Sequence, residues 1–264
     1  MQTEIEDYYR QGGETRRLDA GAGRWEFLRT WDLLQRVLPA GPLSILDVGG
    51  ATGGYAGPLA RHGHRVHVVD PMPEHAAAAA ALPGVTAAVG DARALAEPDA
   101  AYDAVLLFGP LYHLVERGDR LAAWREAARA VRPGGLVVAA TVSRFASLLD
   151  GYVSGHLAHE AFARMLDHTL ATGEHRNLGT DRRWFTTAYF HRPDEPQAEA
   201  ADAGLDFVRT AAVEGPLWML PVLDEVLADP ARTAQALDLV RRVEGEPHLW
   251  GASSHLLTVA RRPA

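Results

Sequence analysis

Residues 45–54 read ILDVGGATGG, an apolar run that breaks into a glycine-rich turn, and this stretch decides the fold. The apolar residues predict a buried β-strand, and the glycines predict a tight turn at its carboxyl end. Such a turn after a strand is typical of nucleotide-cofactor sites in α/β proteins. The question it raises is which cofactor the turn holds.

The rest of the chain alternates between strand and helix patterns. Apolar segments such as RVHVVD (65–70), YDAVLLFG (102–109) and LVVAATV (136–142) are separated by helical stretches such as GDRLAAWREAARAV (118–131). This alternation predicts βαβ units, which build an α/β fold with a doubly wound, mostly parallel sheet and helices on both faces. Ligands of such sheets bind beyond the carboxyl ends of the strands, so we expect functional residues just after strands.

Composition narrows the chemistry. The chain has 264 residues, of which 47% are apolar, and it contains no cysteine; all 26 of its basic residues are arginine. Thiolate, disulfide and lysine Schiff-base chemistry are therefore excluded. The net charge of −8 argues against a nucleic-acid partner. Neither a leader nor an apolar stretch near the roughly 18 residues of a membrane span is found, so we expect a cytoplasmic protein with no membrane partner.

One interpretation of the turn is a dinucleotide fingerprint. Gly49, Ala51 and Gly54 approximate G-x-G-x-x-G, and Asp70 lies about 20 residues further on, where such proteins hold ribose hydroxyls. The match is imperfect because Ala51 stands where the second glycine is expected.

The other interpretation depends on Asp47, which precedes Gly49 by two residues at the end of the strand. A carboxylate at this place suits a ligand that carries an ammonium group, whereas it would repel a pyrophosphate. This pattern favours a cationic cofactor.

The sequence resembles the class I S-adenosylmethionine-dependent methyltransferases. Five segments carry the resemblance in the order of that family: ILDVGGATGGYAGPLA (45–60), VHVVDPMP (66–73), VGDARAL (89–95), YDAVLLFGPLYHL (102–114) and AVRPGGLVVAA (130–140). The resemblance implies a Rossmann-like sheet whose last strand is antiparallel, with helical lid insertions.

The resemblance also implies the cofactor, S-adenosylmethionine, and its site. The methionyl part lies in the glycine turn, the ribose on Asp70, the adenine near Met72 and Asp91, and the methyl group near Phe108. The expected cofactor-binding residues are Asp47, Gly49, Gly50, Ala51, Gly53, Asp70, Pro71, Met72, Gly90, Asp91, Ala92 and Phe108.

Several of these assignments have structural alternatives. Asp70 and Asp91 are also suited to cap helices, and Met72 to fill a gap in the core. Ala51 departs from the family, which usually has glycine there.

The segment FGPLYHL (108–114) follows the fourth strand and places Tyr112 and His113 at the mouth of the site. It lacks the Asn/Asp-Pro-Pro-aromatic motif of exocyclic-amine methyltransferases and the acidic metal ligand of catechol-type enzymes. We therefore expect a small-molecule acceptor and no metal, with Tyr112 binding the substrate. His113 is a candidate base or a group that orients the acceptor, with a structural histidine as the alternative.

Beyond the fifth strand, residues 145–182 are mostly helical and are interpreted as a lid. His191 follows this lid and is our second catalytic candidate, with a helix-capping role as the alternative. Trp218 is expected to line the acceptor pocket from a second lid segment. Residues 41–144 then form the cofactor-binding core, and residues 183–264 complete its sheet.

Residues 1–40 are expected to form a helical cover over the site. Tyr9, beside Tyr8, is a candidate contact of the substrate, and Arg29 is a candidate partner of the methionyl carboxylate. Surface positions or packing roles are the alternative for these residues.

Three functions remain open on the sequence. The first is metal-independent methyl transfer to oxygen, nitrogen or carbon of a small metabolite by in-line displacement. The second is S-adenosylmethionine binding without methylation. The third is a nicotinamide-dependent oxidoreductase, which Asp47 disfavours. We expect a monomer or a homodimer.

Overall fold

A computed structural model describes Ile5, Leu18 and residues 20–177 and 181–264, apart from the side chain of Arg182. The hypothesis on Tyr9 lies outside the described residues.

One seven-stranded sheet organises the molecule. In chain order the strands are β1 Ser44–Val48, β2 Arg65–Asp70, β3 Val85–Val89, β4 Tyr102–Leu107, β5 Val131–Val142, β6 Glu174–His175, β7 Ala188–Tyr189, β8 Asp206–Ala212 and β9 His255–Arg261. The main sheet has the order β3-β2-β1-β4-β5-β9-β8, and β6 pairs with β7 separately. Neighbours from β3 to β5 are parallel, whereas β9 is antiparallel to both β5 and β8. The predicted fold class is confirmed.

Helices lie between the strands and also extend the chain beyond β5. They are α1 Gly21–Val37, α2 Ala56–Arg61, α3 Pro73–Ala80, α4 Pro110–His113, α5 Arg117–Ala130, α6 Ala146–Val153, α7 Glu160–Thr172, α8 Glu195–Asp202, α9 Leu223–Ala228 and α10 Pro230–Val243. Within the described parts of the chain, no helix is both long and apolar enough to cross a bilayer.

The core has two layers because successive strand residues point to opposite faces of the sheet. Ile45 and Leu106 pack with apolar residues of α1 and α2 on one face. Leu46 and Leu107, one residue further along each strand, pack with Trp124 and other residues of α5 and α8 on the other face. This arrangement explains the continuous apolar runs of the central strands, which are buried on both sides.

The stretch proposed as a lid contains α6 and α7, as its helical pattern predicts. Phe162 of α7 is buried against Trp184, with ring centroids 5.4 Å apart. Residues 145–182 do not contribute to the lining of the main cavity, as far as the chain is described there. The lid, like the other proposed boundaries, stays a prediction.

Helix α1 is fixed to the C-terminal third of the chain by a buried ion cluster. Arg29 is fully buried, and its guanidinium donates to Val213 O at 2.8 Å, to Asp32 at 2.7 Å and to Glu244 at 2.7 Å. Glu244 also accepts hydrogen bonds from Arg36 and Arg209. Burial by itself raises the pKa of Glu244, but the bonds from its arginines outweigh burial and bring that pKa down to about 2.

We predict that Glu244→Gln lowers the free energy of unfolding by about 3–5 kcal/mol, because it removes the buried carboxylate that pairs with Arg29, Arg36 and Arg209 and leaves Arg29 with Asp32 as its carboxylate partner. Asp238→Asn is the control, because it breaks an exposed ion pair with Arg242 and should cost less than about 1 kcal/mol. Urea unfolding at pH 7 measures both, and equal costs would contradict the prediction.

The same cluster predicts a dependence on pH. Because the pKa of Glu244 is lower in the folded state, its stabilisation is complete above pH 4.5 and is lost as the pH falls toward 2. Unfolding curves of the wild type should shift over that interval, and Glu244→Gln should lack this part of the shift.

Candidate cofactor and acceptor site

A cavity of about 520 Å³ opens beyond the carboxyl ends of β1, β2 and β4, where the sequence places the site. Its wall is built from residues 48–55, 69–72, 90–93, 108–110 and 112–114. Helix α1 contributes a further part of the wall, and so do Val213 and His255. The volume is in the range of cavities that hold small ligands.

The glycine turn after β1 requires glycine at two positions. Gly49 has φ +76°, and a Cβ there would lie 2.7 Å from Cδ of Pro110. A Cβ on Gly50 would lie 2.6 Å from Oδ2 of Asp47. Ala51 adopts φ +47°, which costs a residue other than glycine about 1–2 kcal/mol. The turn is therefore held in shape against local strain.

Asp47 lies beneath the turn and not in the wall of the cavity. It is fully buried, and neither carboxylate oxygen has a hydrogen-bond partner among the described residues. Burial, with a smaller contribution from the charge of Asp70, raises the pKa of Asp47 to about 7. This buried position does not favour the predicted direct contact between Asp47 and the cofactor. A positive charge in the cavity would instead interact electrostatically with the Asp47 carboxyl group without touching it.

Asp70 connects the turn to the end of β2. Its Oδ2 accepts from Ala51 N at 3.0 Å, and its Oδ1 accepts from Met72 N at 2.9 Å and lies 3.1 Å from Nδ1 of His75. Asp70 also faces the cavity. The alternative of a capping residue is thus realised in part, and it leaves the carboxylate beside the space proposed for the ribose.

The residues predicted around adenine lie together. Pro71, Met72, Gly90, Asp91 and Ala92 all line the cavity. Met72 is 3% exposed and so also belongs to the core, as its alternative supposed. A neighbouring guanidinium, that of Arg93, donates to both oxygens of Asp91 and lowers the pKa of that carboxyl group.

Another part of the cavity wall is aromatic. Phe108 lies edge-on to Tyr55, with centroids 5.3 Å apart, and Tyr112 and His113 follow it on α4. Burial lowers the pKa of His113 to about 4, although a hydrogen bond with the Thr187 backbone opposes the shift. His113 is therefore neutral near pH 7 and is a weak proton acceptor.

Two predicted acceptor residues are not brought to this cavity. His191 is fully buried behind the end of β5, with its Nε2 3.6 Å from Glu199 of α8, because its backbone pairs with Ser143 and directs the side chain toward that helix. Trp218 donates from Nε1 to Ala252 O and packs against the apolar residues of α9 and α10.

Arg29 is also placed elsewhere. Its guanidinium donates hydrogen bonds to Val213, Asp32 and Glu244, and Arg29 is not among the described residues that line the cavity. The expected contact with a methionyl carboxylate is replaced by a structural role, since a guanidinium that is fully buried has no access to a ligand.

The sequence interpretation missed three residues at the cavity. His255 and Glu26 line it, and the buried Glu214 lies 2.5 Å from His255, between Oε1 and Nδ1. His255 is the first residue of β9 and pairs with Val142 at the end of β5. An antiparallel strand brings its first residue to the edge where parallel strands end, so the expected antiparallel last strand was the signal that could have found it.

Comparison with known proteins agrees with this geometry. Residues 45–135 match the sequence model of a family described as a methyltransferase domain. The chain therefore carries a class I S-adenosylmethionine-dependent methyltransferase domain, as its resemblance predicted, and S-adenosylmethionine is the cofactor of that domain.

One relative is the ubiquinone biosynthesis O-methyltransferase of Methylobacterium nodulans, which is 37% identical over 134 residues, 47% of this chain and 53% of that protein. The chain thus spans about half the length of this curated relative, and 40% of three uncharacterized mycobacterial methyltransferases.

Solved structures share the fold. An S-adenosylmethionine-dependent methyltransferase from Mesorhizobium loti is 20% identical with a TM-score of 0.59, over 89% of this chain and 98% of that one. The [4+2]-cyclase SpnF is 21% identical with a TM-score of 0.56, over 90% and 81%. At these identities the likeness concerns the fold alone.

We predict that Gly50→Ala costs about 1–3 kcal/mol of stability and weakens S-adenosylmethionine binding at least tenfold, since the new methyl group would meet the Asp47 carboxylate. Gly118→Ala is the matched control on α5, where a Cβ meets nothing within 4 Å, and it should stabilise by up to about 1 kcal/mol. Thermal unfolding and calorimetric titration measure the two effects. A Gly50→Ala protein with wild-type stability and affinity would refute this account of the turn.

Proposed function

We propose that the protein transfers a methyl group from S-adenosylmethionine to an oxygen, nitrogen or carbon atom of a small molecule. The observation that carries the proposal is one cavity whose lining contains the cofactor motifs together with Phe108, Tyr112 and His113. The motifs suit a nucleoside, and the aromatic side chains beside them suit an acceptor.

The residues fit the cofactor. Residues 49–53 would hold the methionyl part, Asp70 the ribose hydroxyls, and Met72, Asp91 and Ala92 the adenine. The buried carboxylate of Asp47, which lacks a hydrogen-bond partner in the described chain, favours a cation in front of it. When bound, S-adenosylmethionine supplies a methyl group that its positive sulfur already activates for transfer.

The protein's own part in the reaction is to position the acceptor. Tyr112 and His113 would orient it, and the apolar wall around Phe108 would exclude water. The neutral His113 would serve as a hydrogen-bonding group and not as a strong base, because its pKa is lowered to about 4. No carboxylate occurs within residues 108–114, which supports a metal-independent reaction.

Two observations bear on the acceptor. The net charge of −8 supports a small molecule over a nucleic acid. The relative from Methylobacterium nodulans is named an O-methyltransferase, which supports oxygen as the methylated atom.

The second candidate function is cofactor binding without methylation. It is favoured by the likeness to SpnF, which is described as a [4+2]-cyclase. An oxidoreductase is less well supported, because the carboxyl groups of Asp70 at the cavity wall and of Asp47 beneath the turn would disfavour a pyrophosphate there.

Calorimetry and turnover together separate these functions. S-adenosylmethionine and S-adenosylhomocysteine should bind at micromolar concentration, and NAD should not. Incubation with a panel of phenols, alcohols and amines should then form S-adenosylhomocysteine and a methylated product with at least one compound. Binding of NAD alone would overturn the proposal, and binding of the sulfonium without methylation of any compound would favour the second candidate.

We predict that Asp70→Ala weakens S-adenosylmethionine binding at least tenfold, because it removes the hydrogen bonds that hold Ala51 and Met72 as well as the proposed ribose contact. Asp99→Ala removes an exposed carboxylate that pairs with Arg129 and should leave the affinity unchanged. Calorimetry measures both. Wild-type affinity in Asp70→Ala would remove Asp70 from the cofactor site.

His113→Ala should lower turnover at least tenfold while changing cofactor affinity less than threefold, since the ring lines the cavity and is proposed to contact the acceptor and not the cofactor. Because His113 is neutral above about pH 5, the wild-type rate should show no titration of this ring between pH 6 and 9. Steady-state rates across that range test both expectations, with circular dichroism to verify folding. Undiminished turnover would move the acceptor contact to another residue.

A further inference from the structure

We infer that His255 is the general base of the acceptor site, that Glu214 positions it, and that the acceptor is a hydroxyl or amine that must lose a proton. This inference rests on the proposed methyl transfer and names the class of its substrate. His255 lines the cavity wall and Glu214 lies behind it, and neither residue belongs to a cofactor motif.

Glu214 is held rigidly. It is 2% exposed, and its Oε2 accepts from Ser253 Oγ at 2.8 Å and from His255 N at 2.9 Å. Its own backbone N donates to Ser253 Oγ at 3.0 Å. The carboxylate therefore presents Oε1 to Nδ1 of His255 in one orientation.

This contact determines which nitrogen of the ring takes up a proton. With Nδ1–H donated to Glu214 at 2.5 Å, the lone pair of the neutral ring is on Nε2. The His255 side chain is 21% exposed and lines the cavity, so the ring is within reach of a ligand there. A buried carboxylate that orients a histidine in this way also stabilises the imidazolium that forms on protonation.

The charged groups described around His255 suit an imidazolium at this position. Glu214 approaches it from the loop after β8, and Oε2 of Glu26 on α1 lies 3.8 Å from Nδ1. On β5 the partner of His255 is the apolar Val142. Two carboxylates of the described residues thus face the ring, and their negative charge suits the imidazolium that the transfer would form.

The proposed step balances in atoms and charge. The acceptor oxygen or nitrogen forms a bond to the methyl carbon, the carbon–sulfur bond breaks with its electron pair going to sulfur, and the acceptor proton passes to Nε2 of His255. The positive charge that sulfur loses appears on the imidazolium. His113 is the less suitable acceptor for this proton, because burial makes it a weak base.

The same three side chains could instead be regarded as metal ligands, since one ligand atom from each of Glu26, Glu214 and His255 lies within 4.8 Å of the others. The contact between His255 and Glu214 argues for the base. At 2.5 Å it has the length of a hydrogen bond, whereas two ligands on one ion, each about 2.1 Å from it, lie about 3 Å or more apart.

The first experiment needs neither cofactor nor acceptor. Nitrogen NMR of the ¹⁵N-histidine-labelled protein, with the His255 signals assigned by their loss in His255→Gln, reports which ring nitrogen carries hydrogen. We expect the Nδ1–H tautomer of a neutral ring within the range of pH 7 to 9, and its loss in Glu214→Gln. An Nε2–H tautomer, or a ring that stays doubly protonated through pH 9, would overturn the inference.

The second experiment uses the acceptor found by the turnover screen. His255→Gln should lower kcat at least a hundredfold, Glu214→Gln at least tenfold, and both should leave the Kd of S-adenosylhomocysteine within threefold. The wild-type rate should rise with pH as the base deprotonates, and His255→Gln should lose that limb. His248→Gln is the matched control, because His248 is exposed and lies outside the cavity lining. Wild-type kcat in His255→Gln would overturn the inference even if methyl transfer itself is established.

A third measurement tests the metal alternative. Titration of the wild type with Zn²⁺ alone and with Mg²⁺ alone should give no binding that His255→Gln abolishes, and turnover should survive a chelator. Metal binding that depends on His255 would make it a ligand and overturn its role as base. Failure of the protein to bind S-adenosylmethionine would instead refute the proposed function, and the NMR result would stand apart from it.

Discussion

The carboxylate of Asp70 is the interaction on which the cavity depends. It accepts from Ala51 N and from Met72 N, and so fixes the turn after β1 to the residues that follow β2. It also stabilises the turn around Ala51, whose left-handed backbone is costly without a glycine. One buried side chain thereby sets the distance between the two walls between which a nucleoside would lie.

The fold and the grouping of the motif residues around one cavity could be predicted because their signals are local. A strand, a turn and the acidic residue of the next strand lie within 26 residues, and βαβ units can pair in few ways. Arg29, His191 and Trp218 were assigned by position along the chain, but their surroundings are set by distant residues: Arg29 meets partners 184 and 215 residues away. His255 was missed because we expected functional residues just after strands. In an antiparallel strand it is the first residue, and not the last, that lies at this edge of the sheet.

The electrostatics of the site suit a substrate that changes charge. Asp70 lines the cavity and Asp47 is buried beneath the glycine turn, while Glu26 and Glu214 lie beside His255. A sulfonium is attracted to such a wall, whereas the neutral thioether left after transfer is not. The carboxyl groups would thus favour exchange of spent for fresh cofactor, and the positive charge would stay in the cavity on a histidine until it is released as a proton.

The ion cluster of α1 also bears on how the protein is made. Arg29 and Glu244 are 215 residues apart, and a ribosome that adds 5–20 residues per second needs about 10–40 seconds to supply the second after the first. Until then the guanidinium of Arg29 lacks its contacts with Val213 and Glu244 and has Asp32 of the same helix as its partner. Glu26, on the same helix, lacks the part of the cavity wall that follows later in the chain. The sheet from β1 to β5 can pair earlier, so the part of the cavity wall that contains His255 is the last to take shape during synthesis.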